Sequence, residues 1–317
     1  MTTATKSRAL PFELGEPRSF HGLTTIPLFP AAPSALDYVG LDEAAARGFS
    51  VLEVDEAGAV ETLRVANLLD ERVLLYEGEE LAGAKQNRIL NVTVLVGAES
   101  MLTIPVSCVE QGRWSYRSDA FAAAPHAAYP ELRRRKAERL QAAPLEPGAA
   151  QHVVWDLVDE KAERHGVHSP TRAQADIFAA RGRELEELRS AFLLQPGQCG
   201  AVLALGEAMC LDLVSRPDAF AHLYPKLLEG YLLDALERLD GKPDAGKAVE
   251  GFLERVGSGQ ATGGPSAGLG EDLRLRGESV VGSGLELGDE LLQLSAFTSE
   301  GGRTLRPARI ARQTARR

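Results

Sequence analysis

Between residues 88 and 109 apolar and polar side chains alternate in two successive runs, separated by Gly97-Ala98-Glu99-Ser100. A period of two puts Leu90, Val92, Val94 and Val96 on one face of an extended segment. It puts Leu102, Ile104, Val106 and Cys108 on one face of the next. A short turn between such runs predicts an antiparallel hairpin. In the simplest register Arg88 faces Val109 and Gln86 faces Gln111. Pro105 cannot donate to a ladder, so an edge or a bulge is expected there.

Comparable turns occur elsewhere. Glu56-Ala57-Gly58 separates strand-like runs at 50–55 and 59–69, Gly206-Glu207 separates 201–205 from 209–214, and Gly288-Asp289 separates 280–287 from 291–297. Shorter strands are expected at 72–76 and 273–275. The middle reads as helix at 130–143, at 151–165 and from Ser169-Pro170-Thr171 to about Leu194, with Ile177, Leu185, Leu188 and Phe192 on one side. Ser215-Arg216-Pro217 opens a further helix that lines up Phe220, Leu223, Leu227 and Tyr231, with Pro225 inside it. Residues 257–270 contain six Gly and read as a mobile loop. The expected class is α+β: mostly antiparallel sheet from the two terminal thirds, with a helical middle section. The expected organisation is a flexible N-terminus (1–17), one domain over 18–300 and a basic tail (301–317). That domain is β-rich over 18–120, helical over 128–195 and mixed over 198–300.

With 317 residues, 44% of them hydrophobic, the chain can bury a core without covalent staples. Its formal charge is −10, although six Arg and no acid fall in the last fifteen residues. The acidic body disfavours nucleic acid and anionic membranes, and the tail reads as a solvated end. Cys108, Cys199 and Cys210 form no paired motif, which fits a reducing cytoplasm. Neither a signal peptide nor a bilayer-spanning run is expected.

The densest polar stretch runs from 77 to 88: three acids (Glu77, Glu79, Glu80), two bases (Lys85, Arg88) and two amides (Gln86, Asn87) around Gly78 and Gly83. A second, Glu110-Gln111-Gly112-Arg113-Trp114, follows the second alternating run. The hairpin brings the two together. Lys85, Arg88 and Arg113 suit a phosphate or carboxylate. Gln86, Asn87 and Gln111 suit hydrogen bonding to a base or ribose, and Trp114 suits stacking on a ring. Glu79, Glu80 and Glu110 are the candidate general acid–base groups, or oxygen ligands for a divalent cation. The competing reading is an ion-pair network that caps a sheet end.

Other features carry less. The alternation turns Cys108 towards the core, where a thiol is inert, and Ser107 has no nucleophile elbow around it. His165 and His168 lack companion metal ligands. Gly268-Leu269-Gly270-Glu271-Asp272 has no strand before it and no helix after it, as a dinucleotide loop requires. Glu271 and Asp272 join a site only if the C-terminal strands pack on the N-terminal sheet.

Residues 77–88, 103–114 and 268–274 together resemble the ARPP-1 domain, the ARG and rhodanese-phosphatase-superfamily-associated protein, ARG being ADP-ribosylglycohydrolase. The resemblance extends from about Arg18 to Phe297. It implies, by association, a role near ADP-ribose or nucleotide metabolism, and it carries no catalytic residue over to this chain. Three functions follow from the residues and the resemblance. The first is binding of a small phosphorylated or nucleotide-like ligand at the cluster. The second is hydrolysis of such a ligand with carboxylates and a divalent cation. The third is a scaffold whose tail binds a partner.

Overall fold

Strand follows strand through the first part of the chain, because its apolar residues recur every second position between short turns. The computed structural model describes residues 10–142, 150–238 and 246–299. In chain order come β1 (Phe12–Leu14), β2 (Arg18–Phe20), β3 (Leu23–Pro30), β4 (Val39–Gly40), helix α1 (Leu41–Ala46), β5 (Ser50–Leu52) and β6 (Thr62–Asn67). β7 (Val73–Leu75), β8 (Glu79–Gly83), β9 (Arg88–Leu90), β10 (Val94–Val96), β11 (Ser100–Cys108) and β12 (Phe121–Ala127) follow. Four helices come next: α2 (Pro130–Ala142), α3 (Gln151–His165), α4 (Gln174–Ala180) and α5 (Gly182–Arg189). The rest is β13 (Gly200–Leu205), β14 (Ala208–Val214), α6 (Pro217–Ala235), α7 (Gly246–Ser258), β15 (Gln260–Pro265), β16 (Glu271–Gly277), β17 (Val280–Leu287) and β18 (Glu290–Thr298). The class is α+β.

Three β-structures result. β11, β6, β5, β12, β8 and β9 close into an antiparallel barrel. β10, β7 and β4 form a small sheet, with β4 parallel to β7. The remaining nine strands form one antiparallel sheet in the order β1-β3-β13-β14-β18-β17-β16-β15, with β2 also on β3. One face of that sheet packs on the helical layer, where Leu203, Cys210 and Phe297 meet Val154, Ile177, Phe220 and Tyr231. The other face is covered by α7 through Val249, Phe252 and Val256. The barrel and the small sheet share a separate core that includes Leu63, Val65, Leu81, Leu90 and Val106.

The long hairpin expected at 88–109 is split. β11 pairs with β6 up to Pro105 and with β9 from Val106 onwards, while β10 leaves the ladder to pair with β7. Cys108, not Val109, faces Arg88. The break lies at 91–93, where side chains divert the polar groups. Ser107 Oγ donates to Asn91 Oδ1 at 2.8 Å, and the Glu77 N–H donates to Thr93 Oγ1 at 3.0 Å. Pro105 sits where the two ladders meet, a place that tolerates a missing donor.

Three further expectations change. The helix expected from Ser169 begins at Gln174, because Ser169 Oγ instead accepts from the Ala173 N–H at 2.7 Å and donates to Asp176, and it breaks at Arg181, whose backbone leaves the helical conformation. Ile177, Leu185, Leu188 and Phe192 are nonetheless all buried. The glycine-rich loop at 257–270 contains strand β15, whose backbone pairs along β16 without needing side chains to pack. Phe12–Leu14, within the N-terminal stretch expected to be flexible, pairs with β3. The basic tail at 301–317 lies outside the described residues.

One buried network joins barrel, helices and sheet. Arg133, on α2 and fully buried, donates to Asp212 on β14 (Nη1–Oδ2 2.8 Å, Nη2–Oδ1 2.5 Å), to Glu77 Oε1 (Nε 2.9 Å, Nη2 2.6 Å) and to Ser295 Oγ on β18. Lys136 donates to Glu77 Oε2 at 3.1 Å and to the Leu90 carbonyl at 2.7 Å. Tyr76 and Tyr231 donate to the two oxygens of Asp212. Burial by itself would lower the Arg133 pKa and raise those of Asp212 and Glu77. Their mutual attraction outweighs it in all three, so the charges stay on. Gly78, at φ +86°, leaves the room: a Cβ there would stand 2.8 Å from Arg133 Cδ. Two cations balance two carboxylates. Arg133→Met leaves both carboxylates buried without their main partner, and urea unfolding should show a loss of about 3–5 kcal/mol.

A second cluster ties α2, α3 and α6 together. Lys161 donates to Asp234 (2.7 Å) and Glu237 (2.6 Å), and Arg164 Nε donates to Glu237 at 3.0 Å. Burial would raise the Glu237 carboxyl, but His165, Lys161 and Arg164 outweigh it and hold it at about 2. A depressed carboxyl stabilises the fold fully above its unfolded value, about 4.3. That contribution is lost as pH falls through the folded value. Glu237→Gln should therefore lower the urea midpoint at pH 7 and flatten its fall between about pH 5 and 2.

Candidate functional site

The two polar stretches meet at the end of the barrel, because β9 and β11 are neighbours and each runs directly into one of them. The Val109 N–H donates to the Asn87 carbonyl at 3.1 Å, and the Asn87 N–H donates to Glu110 Oε2 at 3.1 Å. Gln86 Nε2 donates to the Gln111 carbonyl at 3.4 Å. Arg113 spans the junction. Its guanidinium donates to Glu110 Oε2 (2.6 Å), Asn87 Oδ1 (3.2 Å) and the carbonyls of Gly83 (3.1 Å), Ala84 (2.6 Å) and Ser115 (2.8 Å).

The carboxylates are held by partners from distant segments. Glu80 accepts from Asn87 Nδ2 (2.8 Å) and Gln174 Nε2 (2.6 Å), and bonds His126 Nε2 at 2.9 Å. His126 stacks on Phe178, with centroids 4.0 Å apart. Glu110 also accepts from Thr171 Oγ1 at 3.0 Å. Burial would raise the Glu110 carboxyl; Arg113 and the Asn87 N–H outweigh it and bring it below its ordinary value. Glu79 faces the other way, accepting from Lys226 Nζ at 2.8 Å and from the Tyr76 N–H at 2.9 Å. Asp42 completes that ion pair. Glu77 belongs to the Arg133 network.

The cations are placed differently. Lys85 Nζ donates to the Glu56 and Ala57 carbonyls (2.5 and 2.6 Å) and lies 5.3 and 5.1 Å from the ring centroids of Trp114 and Tyr116. Both rings are about half exposed. Arg88 is fully buried beneath Trp114, with its guanidinium carbon 5.7 Å from the ring centroid. It donates to Gln86 Oε1 at 3.0 Å and, at 3.4 Å, to the Ala59 carbonyl. No described carboxylate lies within ion-pair distance of Arg88, and its Nε has no acceptor. Burial lowers its pKa. Four other buried atoms of the site also lack a protein partner: Glu53 Oε2, Gln111 Oε1, Gln174 Oε1 and Arg113 Nε.

The site residues that sequence reasoning missed are Glu53, His126, Thr171, Gln174, Lys226 and Asp42. All but Glu53 lie on elements whose approach no local pattern announces. Glu53 sits in the 50–55 run, which was legible as a strand but carried no polar density. Among the weaker candidates, Cys108 is fully buried, and burial outweighs Arg88 to push its thiol up. Ser107 is engaged by Asn91. His165 bonds Glu237. The loop at 268–270 docks on the small sheet, the Leu269 N–H donating to the Leu95 carbonyl at 2.8 Å. Asp272 pairs with Arg274.

Two cavities open nearby. One, of about 20 Å³, is bordered by Asp42, Tyr76, Glu79 and His222. The other, of about 280 Å³, lies between α3 and residues 167–173. Neither is lined by Lys85, Gln86, Asn87, Arg88, Gln111 or Arg113. Among the described residues no group of three or more His, Cys, Asp or Glu side chains is arranged to hold a metal ion, and no helix is long and apolar enough to cross a membrane.

Fold and site together define an α+β protein that carries a buried, charge-rich junction at one end of a six-stranded barrel. Residues 11–297 match the ARPP-1 family, the ARG and Rhodanese-Phosphatase-superfamily-associated Protein domain, and the chain belongs to that family. No curated protein and no solved structure matches it. Within the junction, Glu110→Gln weakens the acceptor shared by Arg113, Asn87 and Thr171. It should destabilise the fold by about 1–3 kcal/mol in urea or thermal unfolding.

Proposed function

We propose that this protein binds a small anionic, phosphorylated or nucleotide-like ligand over Arg88, under a flap made by Trp114 and Tyr116. One observation carries the proposal: a fully buried guanidinium with no carboxylate partner among the described residues and an idle Nε. A charge withdrawn from water costs free energy unless an opposite charge meets it. A phosphate or carboxylate on the ligand supplies that charge. The guanidinium fork matches it, and the two aromatic rings offer stacking faces. Entry displaces the flap. The remaining polar residues serve as the frame: Glu110, Asn87 and Arg113 fix the loop at 84–87, and Glu80 fixes Asn87.

Because the cluster's carboxylates are engaged in that frame, we read it as a binding site and not as hydrolytic machinery. ADP-ribose is the first ligand to try, given the family's described association. Three free, buried cysteines accord with a reducing cytoplasm. The test is a titration of ADP-ribose, AMP and inorganic phosphate, followed by unfolding midpoint and by emission of Trp114 in a Trp155→Phe background. Binding should raise the midpoint and change the emission. Arg88→Met should abolish both responses while raising the midpoint of the free protein, because it removes an unmatched buried charge. Destabilisation by Arg88→Met, together with no response of the unaltered protein to any of the three, overturns the proposal.

A further inference from the structure

We infer that Glu53 is the specificity-determining residue of this site, reading hydroxyl groups on the ligand, so that the ligand is a hydroxylated phosphate ester such as a sugar phosphate or ribonucleotide. The inference rests on the anion-binding reading of Arg88. Glu53 follows β5 and is only 6% exposed. Its Oε1 accepts from the Lys85 N–H at 3.3 Å, whereas Oε2 is buried and receives no donor from the protein. The Lys85 ammonium beside it is committed elsewhere, since Nζ donates to the carbonyls of Glu56 and Ala57.

The loop that follows Glu53 connects it to Arg88. Gly58, at φ +75°, turns the chain closely over the carboxylate: a Cβ there would stand 3.3 Å from Glu53 Oε2 and 3.1 Å from Lys85 Cδ. One residue on, the Ala59 carbonyl accepts from Arg88 Nη2. Arg88, under the Trp114 ring, and the idle acceptor of Glu53 thus meet the same short loop at 58–59.

These two groups ask for opposite things. Arg88 wants an anion. An ionised carboxylate only accepts hydrogen bonds and repels phosphate oxygens. A bare phosphate, or a phosphate ester with an alkyl chain, satisfies the first and is penalised by the second. A phosphate ester with hydroxyl groups satisfies both, donating to Glu53 Oε2 in a charge-assisted bond. Gln111 Oε1, another idle acceptor, favours the same ligand.

Calorimetric titration of the full chain with ribose 5-phosphate, propyl phosphate and inorganic phosphate tests this. The unaltered protein should bind ribose 5-phosphate about tenfold or more tightly than propyl phosphate, the size of one charge-assisted hydrogen bond. Glu53→Gln should weaken ribose 5-phosphate by a similar factor and leave propyl phosphate unchanged or tighter. A residue that merely supports the fold would weaken both together. Equal binding of the two esters by the unaltered protein overturns the role of Glu53 and leaves the anion site standing, and that comparison decides even if Glu53→Gln does not fold. Parallel weakening of both esters in a folded Glu53→Gln also overturns it. Failure of all three phosphates to bind the unaltered protein overturns the anion site and this inference with it.

Discussion

The placement of the barrel against the large sheet depends on one guanidinium in a dry interior. Arg133 reaches from α2 to Glu77 beside the barrel and to Asp212 and Ser295 on the sheet, with all three guanidinium nitrogens engaged. Hydrophobic burial holds these layers together but is nearly indifferent to small slips between them. Hydrogen bonds to a planar fork are not, so the network sets the angle at which the layers meet. Its charges balance, which is why it can remain buried and ionised. With that angle set, β8 and β9 are fixed, and so are the residues at their ends.

Arg88 stands in contrast. It is closed off from solvent like Arg133 but lacks a carboxylate partner among the described residues, and its Nε is idle. The same physics that explains Arg133 as a structural tie leaves Arg88 without a structural explanation. The neighbouring polar residues behave like the Arg133 network. Glu80, Asn87, Glu110 and Arg113 bond one another and draw in His126, Thr171 and Gln174, with only Arg113 Nε and Gln174 Oε1 among their buried side-chain atoms lacking a partner. The cluster therefore divides into a frame whose carboxylates are all engaged and a rim formed by Arg88, Glu53, Gln111 and the exposed faces of Trp114 and Tyr116. The functional reading belongs to the rim.

Much of the fold was legible wherever partner and facing are both local. The hairpins of β13 with β14 and of β17 with β18 have short glycine turns, and α3 has its expected limits, because their hydrogen bonds close within one stretch of chain. Alternation at 88–96 told which side chains face inward but not which strand lies alongside. β6 and β7 took partners that the simple hairpin had assigned differently. β15 was missed because its glycines carry no facing signal, although their backbone pairs as well as any other. Half of the site was legible for the same reason: one short turn carries 85–88 to 110–113. Lys226, on α6, was not, since it arrives by packing.

By itself the sequence determined the α+β class, the main hairpins and helices, the polar density of the two stretches and their meeting, all of which follow from periodicity and short-range closure. Tertiary structure alone decided which of those charges find partners. Glu80 and Glu110 became fixed scaffolding, whereas Arg88 was left unmatched, because the counter-charge of a buried group comes from whatever element packs beside it, however far away in the chain.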